Sequence, residues 1–232
     1  MPAFKWTELK KEAVDPEHSS ATGSVFRGEK IEVGRARHPA RTEVKPHTSA
    51  HEQVQSILKG KAKYRVGGEE KIVGPGEAVL IRPNTDYAVQ ILEDLEVVTF
   101  KDVRPGTGAK VEGARGTVFF KWAEMKVDFI TPEYSTGQGA TITGEHIEVA
   151  FMSYPGGTGG KPHSHPNEQI QVVVNGKAKY MIGGKEFVTE PGGGVLMPSN
   201  VEHDALALED YTVINCKDIV TGWSVYHARW EK

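Results

Sequence analysis

The sequence predicts an all-β protein made of two tandem β-barrels, and two observations lead to this fold class. First, the 232 residues repeat: adding 116 to a position in the first half finds its counterpart in the second, so Phe4-Lys5-Trp6 recurs as Phe120-Lys121-Trp122 and Gly60 to Tyr64 as Gly176 to Tyr180. Second, 26 glycines and 13 prolines are spread along the chain as turn punctuation. Such spacing is typical of many short strands joined by tight turns.

The second half shows these predicted strands most clearly. A strand over 168–174 ends at Asn175-Gly176, and a strand over 177–182 runs into the two-glycine hairpin turn Gly183-Gly184. The segments 6–13 and 122–127 are the only ones that look briefly helical. Turns every 8 to 12 residues or so indicate an antiparallel sandwich or barrel.

The repeat also predicts the domain division. We expect an N-terminal barrel over 1–104 with a degenerate metal site, a glycine-rich linker over 105–116, and a C-terminal barrel over 117–232 with a working one. A period this long is a domain, not a solenoid unit.

Composition excludes several classes of function. The net charge of −3 provides no basic excess for nucleic acid. No apolar run is long enough for a membrane span, and the charged N-terminus lacks the apolar core of a signal peptide, so we expect a cytoplasmic protein. The single cysteine, Cys216, rules out an internal disulfide and favours a buried small apolar role.

Two spaced motifs in the second half carry the candidate chemistry. The first joins His163, His165 and Gln169 between Gly157 and Gly176, and the second ends at His203. Residues two apart on a strand share a face, so His163 and His165 project together, and His203 can close the site from a distant strand. Three imidazoles suit Mn, Fe, Ni, Zn or Cu, and the spacing does not distinguish these ions.

These motifs resemble those of the cupin superfamily, and the duplication is similar to that of bicupins. The pattern departs from the family's at Gln169, which replaces a Glu, at Asn200, which replaces a Gly, and at Ala207, which replaces an Asn. The stretch His163 to Gln169 (HSHPNEQ) is similar to that of cupins that open unsaturated uronate rings and of the bacilysin-biosynthesis bicupin isomerase. The resemblance implies double-stranded β-helix (jelly-roll) barrels, with one divalent transition metal bound by His163, His165, Gln169 and His203.

One alternative ligand is Glu168, which could compete with Gln169. Strand alternation points the two side chains in opposite directions, and Glu168 recurs as Glu52 beside Gln53, which favours a structural role.

The first half keeps only part of the motif. His47 and Gln53 remain, whereas Ser49 and Tyr87 replace the other two imidazoles, so we expect no transition metal there. Two alternatives stay open. His51 could turn inward as a substitute ligand, or an organic anion could bind to arginines, for which the candidates are Arg35, Arg37, Arg65 and Arg82.

Four neutral ligands leave a divalent ion its full charge, which favours Lewis-acid chemistry on a small carbonyl- or carboxylate-bearing substrate by isomerisation, ring opening or lyase chemistry. Tyr154 and Tyr180 are the favoured candidates for proton transfer. Weaker candidates are Glu148, Glu202 and Asp204. The alternatives are a non-haem metal dioxygenase of the cupin type and a non-catalytic metabolite- or sugar-binding bicupin. We also expect a homodimer.

Overall fold

The computed structural model describes residues 2–104 and 118–223 and contains two antiparallel barrels, each built from one seven-stranded and one four-stranded sheet. The predicted all-β class with two tandem barrels is confirmed. The predicted linker, 105–116, lies outside the described residues, and the division into domains at its ends stays a prediction.

The strands of the first half are β1 (Ala3–Lys5), β2 (Glu12–Ala13), β3 (Thr22–Arg27), β4 (Ile31–His38), β5 (Glu43–Thr48), β6 (Gln53–Lys59), β7 (Ala62–Val66), β8 (Glu69–Val73), β9 (Glu77–Ile81), β10 (Asp86–Ile91) and β11 (Leu95–Asp102). Those of the second half are β12 (Phe119–Lys121), β13 (Asp128–Phe129), β14 (Gln138–Thr143), β15 (Ile147–Tyr154), β16 (Gly159–His163), β17 (Gln169–Asn175), β18 (Ala178–Ile182), β19 (Lys185–Thr189), β20 (Gly193–Met197), β21 (His203–Ala207) and β22 (Tyr211–Asp218).

Helical structure is shorter than the sequence suggested. The segments expected to be helical over 6–13 and 122–127 each form one 3₁₀ turn, Trp6–Glu8 and Trp122–Glu124. Each tryptophan is buried, so packing of the indole holds the turn while the following residues leave the helical conformation. Among the described residues, no helix is long and apolar enough to cross a membrane.

The two barrels exchange their first strands. The first seven-stranded sheet has the order β12-β9-β6-β11-β4-β3-β2, and the second has the order β1-β20-β17-β22-β15-β14-β13. Strand β1 therefore pairs with β20 of the second barrel, and β12 pairs with β9 of the first. Each barrel's sheet is completed by the opposite half of the chain, which ties the two barrels together through backbone hydrogen bonds.

A single apolar cluster lies between the barrels and takes side chains from both halves. Phe4 and Trp6 meet Phe100 there, and Trp122 and Cys216 belong to the same cluster. Burial raises the pKa of the Cys216 thiol well above its usual value, so the thiol is protonated and packs as a small apolar group. Two further clusters fill the barrel interiors, one per barrel.

Two buried glutamates, one from each barrel, form hydrogen bonds across the interface between the barrels. The carboxylate of Glu168 accepts hydrogen bonds from the backbone N–H groups of Glu29, Lys30 and Ile31, at 2.8, 3.0 and 2.9 Å. A Cβ at Gly28 would collide with this carboxylate, so the close approach requires glycine. Both Glu168 oxygens are thus held by the opposite barrel.

The same arrangement recurs with the halves interchanged. Glu52 accepts hydrogen bonds from the N–H groups of Glu145, His146 and Ile147 at 2.9, 2.8 and 3.0 Å, and Gly144 leaves room for it. Hydrogen bonds to a buried charged acceptor are stronger than neutral ones, so these six bonds contribute strongly to holding the barrels together.

Candidate metal centre

Three imidazoles meet inside the mouth of the second barrel. His163 ends β16 and lies directly opposite His203 of β21 in the antiparallel register. His165 follows in the loop after β16, so the strand does not continue through both histidines as the sequence suggested. The ring of His203 nevertheless lies 4.4 Å from that of His163 and 4.8 Å from that of His165, centroid to centroid. One ligand atom from each ring falls within 4.8 Å of the others.

Backbone carbonyls fix the orientation of all three rings. Each Nδ1 lies within hydrogen-bond distance of a carbonyl oxygen, at 2.7 Å for His163, 3.0 Å for His165 and 2.8 Å for His203. A carbonyl oxygen only accepts, so each Nδ1 carries the proton and each Nε2 presents a lone pair. Outer hydrogen bonds of this kind are typical of imidazoles that bind metals.

Gln169 aims its carbonyl oxygen at the same point. Its amide nitrogen donates to Asn215 Oδ1 at 2.6 Å, and its Oε1 then lies 3.0 Å from His165 Nε2. With the His165 proton on Nδ1, two lone pairs face each other across that gap. A neutral imidazole cannot satisfy both of its oxygen neighbours, whereas a cation between Nε2 and Oε1 satisfies both groups.

Burial keeps the imidazoles in the neutral form that binds metal. It lowers the pKa of His165 to about 3 and that of His203 to about 4, and it also lowers the pKa of His163. Loss of hydration disfavours the charged imidazolium, and the nearby Lys217 ammonium adds a smaller repulsion at His165. At neutral pH the donor set therefore needs no deprotonation before it binds a cation.

The sequence analysis missed Lys217, which borders the small cavity that His163, Gln169 and His203 line. It lies on β22 opposite Gln169 on one side and Glu148 on the other, and it is only 7% exposed. Burial lowers its pKa, while Glu148 and Asp218 oppose that shift. A signal was available, because the same Lys-Asp pair ends the corresponding strand of each half, Lys101-Asp102 in β11 and Lys217-Asp218 in β22.

Tyr154 and Tyr180 also border this cavity. Burial raises the pKa of both phenols, so both are protonated at neutral pH and can donate but not accept a proton. The Tyr180 hydroxyl donates to Gln171, and in the first barrel Tyr64 donates to Gln55 in the same way, at 2.7 Å. A hydrogen bond present in both barrels indicates a structural role for Tyr180.

One departure from the motif, Asn200, and the alternative ligand, Glu168, now have structural explanations. Asn200 has a φ of 61°, a left-handed conformation that Asn tolerates better than other non-glycine residues, and its N–H donates to the His165 carbonyl at 2.8 Å. Glu168, the alternative ligand, is bound to the opposite barrel and does not border the cavity.

The second-barrel cavity is small, about 40 Å³, whereas the first barrel encloses about 450 Å³. Positions related by the repeat explain the difference. Met152, Tyr154 and Tyr211 fill the interior of the second barrel, where the first has the smaller Ala36, His38 and Leu95.

The first barrel does not reproduce the imidazole cluster. His47, Ser49, Gln53 and Tyr87 border its cavity, but His51 does not, so the alternative of an inward-turned His51 is wrong. None of the four candidate arginines borders the cavity either, so this cavity is not an arginine-lined anion pocket. Three of these arginines lie beside glutamates: Arg35 and Arg37 contact Glu96, and Arg82 lies 4.0 Å from Glu145.

Comparison with known proteins decides the family. The cupin domain family matches residues 35–100 and 150–213, one segment in each barrel and more than half of the chain. The chain belongs to the cupin family. No curated protein sequence matches it.

Solved structures share this two-barrel cupin fold at low sequence identity. AerE from Microcystis aeruginosa matches with a TM-score of 0.74 at 16% identity, covering 91% of this chain and 97% of AerE. Ylba from E. coli matches with a TM-score of 0.74 at 13% identity, covering 94% and 90%. Oxalate decarboxylase from Bacillus subtilis, which has Mn(II) centres, matches with a TM-score of 0.69 at 15% identity, covering 94% and 77%. At these identities the likeness concerns the fold.

Proposed function

We propose that the protein is a metal-dependent bicupin enzyme that acts on a small carbonyl- or carboxylate-bearing metabolite by isomerisation, ring opening or lyase chemistry. His163, His165, Gln169 and His203 of the second barrel would hold one divalent transition ion, Mn, Fe, Ni, Zn or Cu. The homodimeric assembly and cytoplasmic location remain predictions.

One observation carries the proposal: the lone pairs of His165 Nε2 and Gln169 Oε1 face each other at 3.0 Å with no proton available between them. The low pKa of His165 disfavours the doubly protonated ring that would otherwise bridge the two oxygens. In this arrangement the two lone pairs fit a cation that binds both groups. When bound, a divalent ion of this kind supplies a Lewis acid for a carbonyl or carboxylate oxygen.

The surrounding side chains favour a negatively charged substrate. All four donors are uncharged, and Lys217 brings a buried ammonium to the cavity that His163, Gln169 and His203 border. In a water-poor site, a positioned positive charge stabilises an anionic substrate and any oxyanion that develops on it. Because burial lowers the Lys217 pKa, this amine gives up its proton more readily than an exposed lysine does.

Cavity size restricts the substrate further. The free volume of about 40 Å³ has room for only a few heavy atoms, because one water needs about 10–15 Å³ of such space. The bulky side chains of Tyr154 and Met152 border this space, so a long substrate would have to extend outside it. A small carboxylate or keto acid fits better than a sugar ring held entirely inside.

Tyr154 is the remaining candidate for proton donation. Its phenol contacts Ser135 and Gln171, and it borders the cavity. Because its pKa is raised, Tyr154 serves as an acid or hydrogen-bond donor toward a developing oxyanion, and Lys217 serves better as the base.

The test combines elemental analysis with a substrate screen under anaerobic conditions. The full chain, purified without added metal, is expected to hold one transition ion in the second barrel. Gln169→Ala should weaken binding of that ion, and Gln53→Ala, its counterpart in the first barrel, should not. Turnover of small keto acids and dicarboxylates without oxygen, lost in His203→Ala, supports isomerase or lyase chemistry.

The alternatives predict different outcomes of the same screen. Three imidazoles also suit redox-active ions, so turnover that consumes oxygen and stops without it would establish the dioxygenase alternative. If a metabolite binds to the metal-loaded protein but is never converted, the chain is a binding module. Failure of His203→Ala to change metal content at all would refute the proposed centre.

A further inference from the structure

A second set of metal-binding groups lies in the first barrel, where the cupin motif is incomplete. Asp15, His18 and His47 place one ligand atom each within 4.8 Å of the others, the same spread as in the imidazole cluster of the second barrel. Asp15 Oδ1 lies 2.8 Å from His18 Nδ1, and Asp15 Oδ2 lies 3.4 Å from His47 Nε2. One carboxylate thus already joins both imidazoles.

The internal repeat shows that these donors replace the missing ones. The first barrel has Ser49 and Tyr87 where the second has His165 and His203, a loss of two imidazoles. In compensation, Asp15 and His18 stand where the second barrel has Thr131 and Tyr134. Asp15 and His18 therefore occur in the barrel that lacks counterparts of His165 and His203. They lie beside His47, the counterpart of His163.

The position of His18 is inherited from the shared fold. In the second barrel the ring of Tyr134 stacks on His163, with centroids 5.1 Å apart. In the first barrel His18 takes that place and stacks on His47, with centroids 4.0 Å apart. A position that only supports a ligand ring in one barrel therefore presents a second donor in the other.

The backbone holds these groups in place. His47 Nδ1 lies 2.8 Å from the Lys45 carbonyl, so that nitrogen carries the proton and Nε2 faces Asp15. The turn that carries Asp15 and His18 is closed by the bond from Ser19 N–H to the Asp15 carbonyl at 2.9 Å. The N–H of Lys45 donates to the His18 carbonyl at 2.9 Å, which fixes the turn against β5.

We propose that Asp15, His18 and His47 form a second divalent-cation site, distinct from the cupin motif, at the mouth of the large first-barrel cavity. Two imidazoles and one carboxylate suit borderline ions such as Mn, Fe, Co, Ni and Zn and leave positions open for a ligand. With metal–donor bonds of about 2.1 Å, two donors lie at most about 4.2 Å apart. The donors must therefore draw slightly closer, and the stacked rings of His18 and His47 must tilt so that both lone pairs point at one ion.

This site opens onto the cavity of about 450 Å³, whose walls include Val44, Val89 and Val97. An open coordination position at its mouth fits an organic ligand with a metal-binding oxygen or nitrogen and an apolar body. This proposal uses no residue of the second-barrel centre, so either can fail without the other.

The test is metal stoichiometry of the full chain, stripped with chelator and titrated with Co²⁺ and Mn²⁺ by calorimetry. Wild type is expected to bind two ions. Asp15→Asn and His18→Gln should each bind one, because they weaken the first-barrel site at least tenfold. His203→Ala should lose the other ion, and Asp15→Asn combined with His203→Ala should bind neither tightly.

Glu17→Gln removes an exposed carboxylate from the same turn and is the matched control, expected to keep two ions. Circular dichroism and thermal unfolding establish that each variant is folded, and Asp15→Asn changes the side-chain volume very little. A single equivalent in wild type that Asp15→Asn retains, or Asp15→Asn binding two ions with unchanged affinity, would overturn the proposal.

Discussion

Acid sensitivity of the metal-free protein tests the geometry of the candidate metal centre directly. His165 and His203 are 6% and 5% exposed, and their pKa values are lowered to about 3 and about 4. The unfolded chain returns both to about 6.5. The unfolded state therefore binds more protons than the folded state below about pH 6.5. The contribution of these two histidines to the free energy of unfolding is fully present above that pH and is lost as the pH falls from about 6.5 toward 4.

The magnitude follows from the shifts. Between pH 7.5 and pH 5 both folded imidazoles stay neutral while both unfolded ones become protonated. At about 1.4 kcal/mol per pH unit, each histidine should lose about 2 kcal/mol of the free energy of unfolding, or ~4 kcal/mol for the pair. His38, whose pKa burial also lowers to about 4, adds a background of similar size in the first barrel.

The assay is urea unfolding at pH 7.5 and pH 5 in the presence of chelator, with wild type compared with the double variant His165→Gln, His203→Gln. Glutamine does not titrate, so the double variant should lose ~4 kcal/mol less than wild type between the two pH values. The His38 background is the same in both proteins and cancels. Equal pH dependence in the two proteins would mean that the rings are solvated, and the argument for neutral, convergent donors would fail.

Three further predictions concern the interface, the substrate and the interior. Glu168→Gln should lower the free energy of unfolding by about 2–4 kcal/mol, because an amide cannot accept all three backbone hydrogen bonds. The exposed control Glu186→Gln should change it by less than about 0.5 kcal/mol. Equal losses in urea unfolding would contradict the reciprocal interface. Lys217→Met should leave metal content unchanged and weaken calorimetric binding of a small dicarboxylate at least tenfold, and unchanged affinity would remove the lysine from the site. Met152→Ala should enlarge the second-barrel cavity and lower the free energy of unfolding by about 2–4 kcal/mol. Ala36→Met should fill space in the first barrel and lower the free energy of unfolding by less. The opposite order in thermal or urea unfolding would refute our explanation of the two cavity volumes.

Much of the candidate centre was predictable from local pattern. The spacing of His163, His165 and Gln169 brings their donors near one another within a single stretch of chain, whether or not the strand continues. His203 needed the family resemblance, because only closure of the barrel brings β21 beside β16. Its inclusion was an inference about topology, which periodicity alone does not contain.

Other residues of the site were beyond the sequence for a physical reason. The burial of Lys217 follows from its pairing with Gln169, a contact between strands far apart in the chain. Glu168 was correctly expected to face away from Gln169, but its partners are backbone groups of the opposite barrel, which no side-chain pattern reports. The pairing of Asp15 and His18 with His47 likewise depends on the turn folding back over β5.

The sequence by itself determined the duplication, the all-β class and the imidazole motif, because strand alternation, glycine turns and short spacings are local properties. It could not determine which barrel each copy of Phe-Lys-Trp joins, since the two copies are identical and either sheet could accept either one. Tertiary structure decided that exchange, and it also decided which barrel is filled and which is hollow. A change such as Ala36 for Met152 matters only once several such positions face the same enclosed space.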